Sequence, residues 1–196
     1  MSIPDLQPYS MKLGIYPRFF TSRQVSLVVE ENALSPSGRE FIITNSEGAN
    51  LFLVTGHKAR FSSYRTHVRD TRRNVLFAIV KKSLSSGFYA EGPDGKNILD
   101  IKNEASETTC KFKSHLGRQE VLVNRPLGPG ARAEILDQTT RQLVAILNRN
   151  SLVGLVPTPS GRRTYTVIVA PGVDMALIVA MCLCLDDTLF SGSRMA

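Results

Sequence analysis

Along most of the chain, apolar residues recur at every second position. Val25, Leu27 and Val29 alternate with Gln24, Ser26, Val28 and Glu30, and Tyr165, Val167 and Val169 alternate with Thr164, Thr166 and Ile168. Ala131, Ala133 and Ile135 do the same, and Cys110 and Phe112 face away from Lys111 and Lys113. Successive side chains of a strand point to opposite faces, so each run describes a strand with one buried side. Turn clusters separate the runs: Ser35 to Gly38, Asn45 to Gly48, Gly92 to Gly95, Leu127 to Gly130 and Pro157 to Gly161. The pattern predicts about twelve strands, at 24–30, 40–44, 50–55, 64–69, 75–81, 87–91, 97–102, 108–113, 119–125, 131–137, 142–149 and 164–169. Short strands at such spacing indicate an antiparallel sandwich or barrel. One domain is expected over 16–190, with a flexible arm at 1–15 and a tail at 191–196.

The last element has a different pattern. Met175 to Leu185 are apolar without a break, preceded by Pro171-Gly172-Val173-Asp174 and followed by Asp186-Asp187. Ala, Leu and Met favour a helix, and Asp174 stands where an N-cap or first-turn acid belongs. A helix over about 173–187 with no polar face has to be buried on every side. At about 1.5 Å per residue it is too short for the roughly 30 Å of a bilayer. The two aspartates at its end also make a poor membrane flank. A closed barrel of strands around the helix satisfies both patterns.

The stretch Thr164 to Ala180, a strand running into Ala-Pro-Gly-Val-Asp and then an apolar helix, resembles the terminal signature of the LURP-one-related proteins. The order of elements is similar over about 15–190, and the specific motif is 164–187. The resemblance implies a mainly β, tubby C-terminal-like fold shared with phospholipid scramblases: twelve antiparallel strands around a central hydrophobic helix. It makes Pro171, Gly172 and Asp174 structural signature residues. Members of the family often carry a Trp in the middle strands; this chain has none, and Phe88 or Tyr89 is expected in its place. Tubby relatives bind phosphoinositides through basic residues on the barrel wall, which directs attention to the charge.

That charge is concentrated. The chain carries 24 Lys and Arg against 17 Asp and Glu, a net +7. Residues 57–82 hold Lys58, Arg60, Arg65, Arg69, Arg72, Arg73, Lys81 and Lys82 against Asp70 alone, so this segment accounts for the whole excess. A local excess attracts phosphate-rich surfaces, and arginine forks suit phosphate oxygens. These eight residues are the candidate ligands for phosphate or anionic lipid. Aromatic residues interleave thinly there, at Phe61, Tyr64 and Phe77, which disfavours a nucleic-acid platform.

Catalytic and cofactor motifs are weak or missing. Gly128-Pro129-Gly130-Ala131-Arg132-Ala133 matches a dinucleotide string, but a strand pattern comes after it where that chemistry needs a helix. Cys182 and Cys184 would point about 200° apart on a helix, so they read as core residues. His57, His67 and His115 lack metal-ligand spacing. No catalytic residue, metal or cofactor is assigned. Three cysteines and no visible signal peptide fit a cytoplasmic or peripheral-membrane monomer without a transmembrane span. The expected function is a non-enzymatic module for anionic or phosphoinositide-containing membranes. The alternatives are a protein-interaction scaffold with an acidic partner and, less favoured, scramblase-like lipid transport.

Overall fold

The computed structural model describes residues 4–32, 40–58, 64–82, 87–104, 107–127, 132–148 and 164–191. They form twelve strands: β1 (Val25–Glu31), β2 (Phe41–Asn45), β3 (Asn50–Lys58), β4 (Tyr64–Asp70), β5 (Val75–Lys81), β6 (Phe88–Glu91), β7 (Asn97–Asn103), β8 (Thr108–Lys113), β9 (Gln119–Pro126), β10 (Arg132–Asp137), β11 (Leu143–Asn148) and β12 (Thr164–Val169). Each pairs antiparallel with its neighbour in sequence, and β1 pairs with β12 to close a barrel. Closure removes the open strand edges that an unclosed sheet would present. The predicted strands match these within a few residues. Gly128 to Ala131 lie outside the described residues, and the element after them is strand β10.

Helix α1 (Met175–Ser191) follows β12. Every residue from Ala176 to Leu185 is buried, none more than 8% exposed. Such a run makes nearly three turns, so all faces of the helix are covered. Inward-facing Leu27, Ile43, Phe52, Phe77, Phe112, Leu122, Ile135 and Val167 share one apolar cluster with it. Of the two aromatic residues expected in place of a tryptophan, Phe88 is the one buried in this cluster. Cys182 and Cys184 are buried and form no disulfide, as core residues. The helix begins two residues later than the hydropathy pattern suggests because Val173 and Asp174 bridge to Leu13 and Phe20.

The N-terminal segment corrects an expectation. With Pro4, Asp5 and Pro8 and no periodicity, 1–15 reads as a loose arm. Instead Leu6, Tyr9 and Leu13 are buried, and the chain from residue 4 to β1 circles the barrel mouth where α1 begins. It visits one hairpin after another. Gln142 Nε2 donates to the Gln7 and Pro8 carbonyls, and Tyr9 Oη donates to Asp137 at the β10–β11 turn. His115 N, in the β8–β9 turn, donates to the Gly14 carbonyl. Tyr16 Oη donates to the Leu76 carbonyl of β5, and Arg18 faces Asp70 at 3.5 Å at the β4–β5 turn. Register shifts at Ile43/Thr44, Val68/Arg69, Ala90/Glu91 and Ile135/Leu136 kink four hairpins next to this same mouth.

The Pro-Gly-Val-Asp signature is the hub of the closure. Tyr9 N donates to the Pro171 carbonyl at 2.8 Å, Leu13 N to the Gly172 carbonyl at 2.9 Å and Asp174 N to the Leu13 carbonyl at 2.9 Å. Gly172 has φ +83, and a Cβ there would lie 2.5 Å from the Tyr9 carbonyl oxygen. Gly14 is equally confined, since a Cβ there would overlap the Asp174 Cβ. Asp174 is fully buried. Its Oδ1 accepts from Ala176 N at 2.9 Å, capping the helix, while Oδ2 accepts from Ile15 N at 3.0 Å and Tyr16 N at 2.8 Å. One carboxylate thus joins the helix start to the arm.

Candidate functional site

The β4–β5 hairpin turns through Asp70-Thr71-Arg72-Arg73-Asn74. Asp70 organises it: Oδ1 accepts from Arg72 N at 3.0 Å and Asn74 N at 2.9 Å, and Oδ2 accepts from Asn74 Nδ2 at 3.1 Å. The Asn74 side chain first, then the turn amides and Arg18, hold the Asp70 carboxyl below its usual range. Arg73 takes a left-handed φ of 66° and donates its N–H to the Asp70 carbonyl. The turn's one acid faces its own backbone, and Arg72 and Arg73 are exposed without an acidic partner among the described residues. Arg69 Nη1 reaches the Arg73 carbonyl at 3.2 Å. Arg18, its guanidinium 4.8 Å from the Phe19 ring centroid, completes a cluster of four arginines around one aspartate.

The remaining sequence candidates lie elsewhere. Arg65 pairs with Glu91 of β6 at 2.7 Å, across β5. Lys82 pairs with Asp100 of β7 at 2.7 Å. Lys81 Nζ stands 5.9 Å from the Phe88 ring centroid. Arg60 and the side chain of Lys58 lie outside the described residues. The basic segment is therefore divided between the two ends of the barrel. Exposed ion pairs add little stability, but they do neutralise the surface where they form.

Arg18 is not among the sequence candidates. Nothing in its local sequence marks it, because only the circling arm brings it to Asp70. The same holds for the wider rim. The arm (4–24) and the turns 46–49, 71–74, 92–96, 114–118 and 138–142 hold eight basic residues against Asp5, Glu47 and Asp94, a net +5. Asp70 and Asp137, at the strand ends behind two of these turns, are buried and engaged by the turns themselves. Scattered along the sequence, the rim cations form no run; the hairpin topology gathers them at one end.

The LURP-one-related family model matches residues 25–186. The chain belongs to that family. An X-ray structure of a protein from Arabidopsis thaliana is similar to it at 15% identity, with a TM-score of 0.61 over 90% of this chain and 98% of that one. At that identity the likeness concerns the fold. No curated protein matches the chain. For this LURP-one-related protein the family match begins at β1, so it leaves out the arm and Arg18.

Proposed function

We propose that this protein is a non-enzymatic binding module that attaches to anionic, phosphoinositide-containing membrane surfaces. The observation that carries the reading is the exposed Arg72–Arg73 turn, backed by Arg69 and Arg18, with its single acid engaged by the turn itself. Guanidinium forks bind phosphate oxygens in pairs. A binding rather than catalytic role accords with a barrel interior occupied by its own helix. The same filling argues against lipid passage through the barrel. Among the described residues no helix is long and apolar enough to cross a membrane. On this reading attachment runs through the charged surface, and the protein works at the cytoplasmic face of a membrane.

Flotation with phosphatidylcholine vesicles, with and without phosphatidylserine or phosphoinositide, tests it. The wild type is expected to float with anionic vesicles only, and less so as salt rises. Arg72→Glu/Arg73→Glu should abolish flotation, while Arg65→Glu/Lys82→Glu, which alters the paired residues, should leave it nearly unchanged. Loss with the second pair and not the first would overturn the assignment. Unchanged circular dichroism of both variants ensures that lost flotation is not lost folding.

A further inference from the structure

Four large apolar side chains are exposed among the described residues: Met11, Ile42, Leu116 and Leu127. Two of them share one sector of the arm-side mouth. Leu116, 56% exposed, sits at the tip of the β8–β9 turn, and Met11, 53% exposed, sits on the arm beside it. Arg118 Nη1 approaches the Met11 sulfur at 3.4 Å, and His115 N donates to the Gly14 carbonyl, so arm and turn are held together here. Arg118 touches Met11, Lys12 follows it in sequence, and the Lys113 side chain reaches toward Gly117 beside Leu116; none of the three has an acidic partner among the described residues. Glu120, the acid next along the chain, is half-buried and pairs in register with inward-facing Phe112. A single exposed apolar residue is ordinary on any surface. Two on segments held together, with three cations beside them, are a combination that suits one environment.

We infer that Met11 and Leu116 form a wedge that enters the acyl region of an anionic bilayer while Lys12, Lys113 and Arg118 contact its headgroups. The inference rests on the membrane reading above and deepens it by fixing the orientation of the barrel. The β4–β5 and β8–β9 turns lie at the same end, because strands alternate in direction, so a plane laid across the arm-side mouth meets the arginine turn and the wedge together. Both apolar side chains are more than half exposed. A protein partner would need a pocket for each, whereas fluid acyl chains need none. Cations at the flank add attraction to an anionic leaflet at each side chain.

The chain has no tryptophan, so Leu116→Trp creates a single reporter. Leu127→Trp, at the β9–β10 end of the barrel and 42% exposed, is the matched control. With phosphatidylcholine/phosphatidylserine vesicles the Leu116→Trp emission should shift to the blue and be quenched by brominated acyl chains, and Leu127→Trp should not respond. Met11→Ser/Leu116→Ser should weaken partitioning by roughly tenfold or more, the loss expected for two side chains that leave an apolar phase. Flotation of the Leu116→Trp protein without quenching would overturn the wedge and leave the arginine reading standing, as binding to headgroups alone. Quenching that survives Arg72→Glu/Arg73→Glu would support the wedge and overturn the arginine site. No flotation of the wild type with any anionic vesicle would overturn both, and would point to an acidic protein as the partner.

Discussion

Replacing Asp174 with alanine tests how the arm and helix are joined. The substitution removes the helix cap, worth about 1 kcal/mol, and strands two further amides, Ile15 and Tyr16, at about 2 kcal/mol each. The loss for the neutral acid is then on the order of 5 kcal/mol. Burial opposes this by pushing the Asp174 carboxyl from 3.8 up to about 6, with the amides of Tyr16, Ile15, Ala176 and Leu177 limiting the rise. Because the folded value is raised, the stability linked to this proton is complete below about 3.8 and is lost as pH climbs through about 6. A rise of that size is worth about 3 kcal/mol, so Asp174→Ala should cost about 2 kcal/mol at pH 7 and approach about 5 kcal/mol toward pH 4. Asp70, whose carboxyl is lowered, moves stability the other way but is common to both proteins and cancels in the difference. Urea titrations of the two proteins at about pH 7 and 4.5, followed by tyrosine fluorescence, measure this. Hydrogen exchange at Ile15 and Tyr16 reports the arm directly and should accelerate. A destabilisation that shrinks on acidification, or amides as protected as in the wild type, would mean that Asp174 does not join the helix start to the arm.

Gly172→Ala puts a methyl group 2.5 Å from the Tyr9 carbonyl oxygen at a left-handed φ, and should cost at least about 2 kcal/mol and expose residues 4–20 to limited proteolysis. Tyr9→Phe removes a buried donor from Asp137, which keeps Thr139 N and Thr140 Oγ1, and should lower stability by about 1–2 kcal/mol in a urea titration. Leu177→Asp or Val179→Asp places an unpaired charge in the barrel interior and should leave no protease-resistant folded protein; near-ultraviolet circular dichroism matching the wild type would contradict the central helix.

Most of the fold was legible because a barrel filled by one helix imposes the same two-sided environment on strand after strand. Leu27 and Val29 meet the core while Ser26 and Glu30 face out, and alternation records that directly. In β5 the alternation fails yet a strand forms: outward-facing Ala78 and Val80 are buried where their register partners His67, Glu91, Arg65 and Tyr89 flank them. The arm left no such trace. Leu6, Tyr9 and Leu13 anchor at irregular spacing because each answers a different part of the rim, and no period describes a path around it. Asp174 was legible as a cap, but its second oxygen serves Ile15 and Tyr16, partners 159 and 158 positions away that no local pattern could supply.

The candidate site was only partly legible, for a related reason. Counting charge along the chain treats Arg65 and Arg72 alike, but antiparallel pairing sets Glu91 across β5 from Arg65 and leaves Arg72 at a turn. Strand positions acquire neighbours from adjacent strands, and those neighbours can cancel them. Turn tips acquire neighbours only from the rim. Arg72 and Arg73 therefore keep their charge at a hairpin end, and the arm adds Lys12 and Arg18 to the same mouth. The Asp174 clamp holds that arm in place, so a fully buried carboxylate also controls exposed cations. A variant that frees the arm without unfolding the barrel should lose Met11, Lys12 and Arg18 from the rim together, and vesicle binding should fall even though Arg72 and Arg73 are untouched.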